Sequence, residues 1–145
     1  MNHWIGVVSR SHVLRGVEGG FAQMNHGKQA PLQRMKAGDG LIYYSPREDY
    51  PDGAPLQAFT ALGFIRTGEV YAYDMTADGV PGFVPRRIDV DYVDTQITSI
   101  RPLIAQLDFI KDKTHWGAAF RFGQVKIGEV DFRCIAHAMG YLLRG

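Results

Sequence analysis

Leu41-Ile42-Tyr43-Tyr44-Ser45 is an unbroken, mostly apolar run, entered from the turn Lys36-Ala37-Gly38-Asp39-Gly40 and followed by Pro46. Such a run between turn formers reads as a strand lying in the core. Pro46, which has no amide hydrogen, is expected to stop it. Upstream, residues 3–8 form a short apolar run suited to a buried strand. A helix follows over residues 10–17, capped by Ser9 or Ser11, with Val13, Leu14 and Val17 on one face. Glu18-Gly19-Gly20 ends it, because glycine takes the left-handed cap conformation without steric cost. Residues 21–29 read as a polar, glycine-punctuated loop, and residues 30–35 as one or two helical turns with Pro31 in the first.

Downstream, residues 47–55 form a loop carrying Pro51, Gly53 and Pro55. Residues 57–67 and 69–75 read as two strands, for which the Thr67-Gly68 step favours a hairpin. After a loop over 76–84, Arg86, Ile88, Val90 and Tyr92 alternate with Arg87, Asp89, Asp91 and Val93, the period of a strand with one wetted face. Ser99 caps a short helix through Pro102, Leu103, Ile104 and Leu107. Residues 111–121 are a charged, aromatic loop holding Trp116 and Phe120, and residues 122–127 a final strand. The helix over 128–139 places Phe132, Ile135, Ala136 and Met139 on one face. Five or six strands among short helices make a mixed α+β fold, a curved sheet or small open barrel. With no repeat or linker, residues 1–145 are expected to form a single domain.

The 145 residues suffice to bury a real core, and 46% apolar with 21% charged residues argues against disorder. Net charge is only +1, from sixteen Lys and Arg against fifteen Asp and Glu. A protein that coats duplex DNA non-specifically carries a clear basic excess, so a nucleic-acid partner would require a local patch and a shaped pocket. Cys134 is the single cysteine, so no intrachain disulfide forms. Without a signal-like N-terminus or a membrane-length apolar run, the expected location is cytoplasmic.

Catalytic motifs are absent. His3, His12, His26, His115 and His137 show no metal-ligand spacing, and no metal or cofactor is expected. Asp89, Asp91 and Asp94 fit a solvated strand edge. Gly20 to Lys28 fails as a phosphate-binding loop, having Ala22 and Gln29 where glycine and a hydroxyl are needed. Gly16 to Gly20 ends a helix and so fails the dinucleotide fingerprint. Cys134 is expected to be a buried thiol, and no nucleophile elbow surrounds Ser9 or Ser45. What remains is a binding constellation. Trp4, Trp116 and Phe21 could stack on a planar ring, with Lys28, Arg34, Lys111, Lys113 and Arg121 nearby for phosphates. The same tryptophans serve equally well as core residues, and the charges as solvated ones.

Trp4-Ile5-Gly6-Val7-Val8-Ser9 and His12-Val13-Leu14-Arg15-Gly16-Val17-Glu18-Gly19-Gly20-Phe21-Ala22-Gln23 strongly resemble the opening of EVE-domain proteins. So do His26-Gly27-Lys28, Pro31-Leu32, Gly38-Asp39, Tyr43-Tyr44-Ser45-Pro46, residues 57–63, Arg101-Pro102-Leu103-Ile104 and Lys113 with Trp116-Gly117. The likeness runs in order along nearly the whole chain. It implies a PUA-like pseudo-barrel flanked by short helices, related to the YTH domains that cage a methylated base. It further implies a non-catalytic module that binds nucleic acid, DNA or RNA, and reads a modified base, with any effector protein acting in trans. Carried onto this chain, Trp4 or Phe21 stacks on the base, while Ser9, Gln23 and Ser45 meet its polar edge. Tyr44, Pro46, Trp116 and Phe120 wall the pocket, and Lys28, Lys113 and Arg121 hold the backbone. Phe21 stands where a YTH-like cage has a tryptophan.

Two other readings share the pocket. A small-molecule or modified-nucleoside sensor would dispense with phosphate contacts, which the near-neutral charge favours. An enzyme acting on a nucleotide would have to draw on the unpaired serines and histidines.

Overall fold

The computed structural model describes residues 1–142. Its elements are β1 (His3–Val7), α1 (Arg10–Gly19), β2 (Phe21–Ala22), α2 (Ala30–Gln33), β3 (Gly40–Arg47), β4 (Pro55–Ala72), β5 (Arg86–Val93), β6 (Thr98–Ser99), β7 (Gln124–Ile127) and α3 (Glu129–Ala138), with short 3-10 turns between them. The fold is mixed α+β, as expected, around a seven-stranded sheet in the order β2-β5-β4-β3-β1-β7, with β6 also paired to β4. β1 and β3 run parallel and the other pairs are antiparallel.

Successive side chains of a strand point to opposite faces, and both faces of this sheet are covered. Ile5, Ile42, Tyr44, Phe59 and Leu62 join Phe132, Ile135 and Ala136 of α3 and its capping residue Met139 in one apolar cluster. Trp4, Leu41, Tyr43, Ala61 and Ile65 pack on the other face with Val13, Met24, Leu32 and Met35. The continuous apolar run of β3 follows from this double burial. Neighbouring tyrosines Tyr43 and Tyr44 therefore belong to different cores, which decides the layout of the cavities.

Several expectations need correction. β3 does not stop at Pro46. It continues to Arg47 through a register shift between Ser45 and Arg47, a bulge that spares the missing proline amide. The hairpin expected at Thr67-Gly68 does not form. β4 is one long strand along β5, with an irregularity between Ile65 and Val70, and Gly68 sits in it at φ 80°, a conformation costly for other residues. Residues 21–29 are not all loop, since β2 pairs there with β5 and a 3-10 turn spans Asn25–Gly27. On α1 the buried residues are Val13 and Gly16, while Leu14 and Val17 are exposed. Cys134 is only partly buried, its Sγ 3.6 Å from Gln106 Oε1. Gly20 does close α1 in the left-handed conformation, at φ 74°.

Gly16 brings α1 against β2. A Cβ built there would lie 2.6 Å from the carbonyl oxygen of Phe21, which accepts the Tyr92 hydroxyl at 2.8 Å. Gly16→Ala gains about 1 kcal/mol of helix propensity, yet it forces rigid backbone apart, at a cost of about 1–3 kcal/mol for overpacking. The expected net result is destabilisation, read as a lower denaturant midpoint at unchanged m-value.

Candidate base-binding site

The end of β1, the start of α1 and the segment after β2 enclose a cavity of about 630 Å³. Its walls include the apolar side chains of Val8, Met24, Met75, Val80 and Phe83. Tyr43 forms part of the wall and lies against Tyr92, their rings stacked with centroids 6.4 Å apart, while Tyr92 donates to the Phe21 carbonyl at 2.8 Å. Burial pushes the Tyr43 phenol up to about 12 against the lowering influence of Tyr92 and the Gln23 backbone, and Tyr92 is also raised, first by burial and then by Tyr43. Both stay protonated at neutral pH and hold the wall in one arrangement.

Ser9 occupies the N-cap position of α1, but its hydroxyl makes no capping bond. The Ser9 carbonyl accepts from the amides of His12 and Val13, both at 3.1 Å, whereas its Oγ is buried and has no protein partner among the described residues. Ser9 is 8% exposed and lines the cavity. A buried polar atom left unpaired costs about 1–3 kcal/mol, so this hydroxyl is a group to be satisfied by something in the cavity.

The cavity mouth is basic and aromatic. Arg15, Lys28 and Arg121 line it, are exposed, and form no salt bridge among the described residues. Tyr50 and Phe122 stand beside them, 61% and 78% exposed. Phe122 is held on a turn whose Gly123 carbonyl accepts the Val7 amide at 2.8 Å.

Not all of the residues expected at the site come together. Ser9, Phe21, Gln23, Lys28, Phe120 and Arg121 line this cavity. Tyr44, Pro46 and Trp116 line a second one of about 250 Å³, which shares Val7 and Phe120 with the first. Tyr44 stacks on Phe120 with ring centroids 4.1 Å apart, and Trp116 meets both edge-on. Trp4 lines neither cavity. It is buried on the same face as Tyr43, but two pairing steps back towards the start of the strand, where its indole N–H donates to Asp39 Oδ2 at 3.0 Å. Ser45 is fully buried, 2.8 Å from the Thr60 hydroxyl. Lys113 is exposed and donates locally to the Leu107 carbonyl at 2.6 Å. Phe21 reaches the cavity, but one of its faces is already covered by the Arg87 guanidinium, 3.8 Å from the ring centroid.

Sequence reasoning missed Tyr43, Tyr92 and Arg87. The alternation of β5 placed Arg87 on a wetted face, yet only 8% of it is exposed, because Phe21 and Tyr73 cover it from distant parts of the chain. Among the described residues no group of three or more His, Cys, Asp and Glu is placed to hold a metal, and no helix is long and apolar enough to cross a membrane.

Comparison with known proteins agrees with this architecture. Residues 2–138 match the EVE domain family. The chain is 48% identical to the UPF0310 protein YdcG of Bacillus subtilis, over 99% of its length and 96% of that protein's. It is 52% identical to a UPF0310 protein of Mycobacterium avium, covering 96% and 98%. Among solved structures, Rpa0253 of Rhodopseudomonas palustris superimposes with a TM-score of 0.58 at 16% identity, covering 99% of this chain and 97% of that one. Human THYN1, solved in complex with 5-methylcytosine containing DNA, gives 0.56 at 11% identity, covering 94% and 96%. At such identities the likeness is one of fold, and that fold is PUA-like. By the match along nearly its whole length and by these close relatives, the chain belongs to the EVE domain family.

Proposed function

We propose that this protein is a non-catalytic nucleic-acid-binding module that takes one base, single-stranded or flipped, into the larger cavity and reads it for modification. The observation that carries the reading is the buried Ser9 hydroxyl, without a protein partner among the described residues, beside apolar walls and beneath a mouth of three cations. A base offers what that arrangement lacks: a planar apolar body, a polar edge for Ser9, and a phosphate on either side. Burying an added methyl contributes only about 1 kcal/mol, so discrimination also depends on polar groups that reject the wrong edge. A paired base cannot reach the cavity, and flipping one costs a few kcal/mol, which favours single strands or weakened pairs. Tyr44, Trp116 and Phe120 at the smaller cavity are suited to a neighbouring base. The human relative by fold, solved with 5-methylcytosine containing DNA, supports a nucleic-acid ligand. On this reading the 145 residues act as a single cytoplasmic domain, and any downstream effect falls to an effector protein in trans.

The test is fluorescence anisotropy of short labelled single strands with a plain or methylated central base, titrated at several salt concentrations. Three phosphate contacts predict a log–log salt slope of about −2 for a single strand. Ser9→Ala should weaken binding several-fold without changing that slope. Salt-independent binding, equal for free nucleosides and strands, would instead identify a modified-nucleoside sensor, the reading favoured by the net charge of +1.

A further inference from the structure

Resting on the cavity as a base site, we infer that Arg87 is its specificity-determining residue, and that it selects ligands presenting an oxygen acceptor. The guanidinium lies between the rings of Phe21 and Tyr73, 3.8 Å from each centroid, so both of its faces are covered. Its Nε donates to Gln23 Oε1 at 3.1 Å, which fixes its rotation in the plane. Arg87 lines the cavity at 8% exposure, and no carboxylate lies within salt-bridge distance of it among the described residues. Its two Nη groups donate to no protein atom among those residues.

A cation withdrawn from water with no counter-charge is costly, and stacking on two rings offsets only part of that cost. What remains available is the edge of the guanidinium, a planar fork of N–H donors that accepts nothing. Such a fork suits adjacent acceptors or an anionic oxygen, as in the contact of arginine with guanine O6 and N7. Adenine is the one standard base without a carbonyl oxygen, and the edge carrying its N7 acceptor also presents an amine that opposes the fork. Phe21, expected to stack on a base, instead acts as a wall of the clamp that orients Arg87. The acceptor oxygen can come from the base or from a phosphate, and the two sources separate by experiment.

The measurement uses strands in which one test base is flanked by abasic residues, with wild type, Arg87→Lys, Arg87→Met and Gln23→Leu compared. Inorganic phosphate is tested separately by thermal shift. Wild type should bind guanine, cytosine and uracil strands at least tenfold more tightly than the adenine strand. Both Arg87 variants should abolish that difference, Lys included, because it keeps the charge and loses the planar fork. Gln23→Leu, which leaves both aromatic walls, should reduce it and guards against a folding failure in the Arg87 variants. If no base is distinguished but phosphate stabilises wild type and not Arg87→Met, the oxygen-acceptor role stands and the base reading falls. If the Arg87 and Gln23 variants bind every test base and phosphate as wild type does, the inference is overturned, whatever becomes of the base site.

Discussion

Asp39→Ala is expected to lower the unfolding free energy by about 3–5 kcal/mol, because it strands three donors at once. The carboxylate is buried and accepts the Trp4 indole N–H at 3.0 Å, the Asn2 amide at 3.0 Å and the Lys36 amide at 2.9 Å. It thereby ties the first strand to the turn that launches β3. For a domain of this size the loss corresponds to a fall in Tm of roughly 10 °C or more, readable by calorimetry. The pH dependence has a definite sign. Burial pushes the Asp39 carboxyl up, but its hydrogen bonds to Asn2, Lys36 and Trp4 outweigh that and hold it below the ordinary carboxylate range. Its stabilisation is therefore complete above the unfolded-state pKa near 4 and is lost as pH falls through the lower folded value. Asp39→Asn should remove that part of the acid limb while keeping some of the hydrogen bonding. An acid-unfolding profile unchanged by Asp39→Asn would show that other carboxylates govern it.

Replacing Arg15, Lys28 and Arg121 together by glutamine should weaken single-strand binding about 50-fold at 0.15 M salt and flatten the salt slope from about −2 towards zero. All three are exposed at the cavity mouth, so folding stability should change little. The contrast with Ser9→Ala is informative, since that variant acts inside the cavity and should leave the slope intact. A triple variant with the parent slope would place the phosphate contacts elsewhere, with Arg101 beside Trp116 at the second cavity as the next candidate.

Much of the fold was legible because local physics and tertiary packing agree. The face of Phe132, Ile135 and Ala136 on α3, with Met139 at its C-cap, is fully in the core, and Gly20 closes α1 as its backbone freedom permits. The hairpin expected at Thr67-Gly68 failed because a glycine at positive φ serves a bulge as well as a turn, and the choice between them depends on β5. The site was legible only in part. Aromatics could be named, but Trp4 and Tyr43 share a face at different points along the strands, while Tyr43 and Tyr44 are adjacent and face opposite ways.

By itself the sequence determined the class of fold, most of the longer elements, the family and the residues able to meet a base or a phosphate, because these follow from patterns of a few residues. Only the tertiary structure decided which of them share a cavity. It turned Trp4, Ser45 and Lys113 to internal hydrogen bonds, left the Ser9 hydroxyl without a protein partner among the described residues, and clamped Arg87 between rings brought from residues 21 and 73. Apart from the local Lys113–Leu107 bond, these pairings join residues well separated along the chain, and their geometry comes from the pleat and register of the assembled sheet.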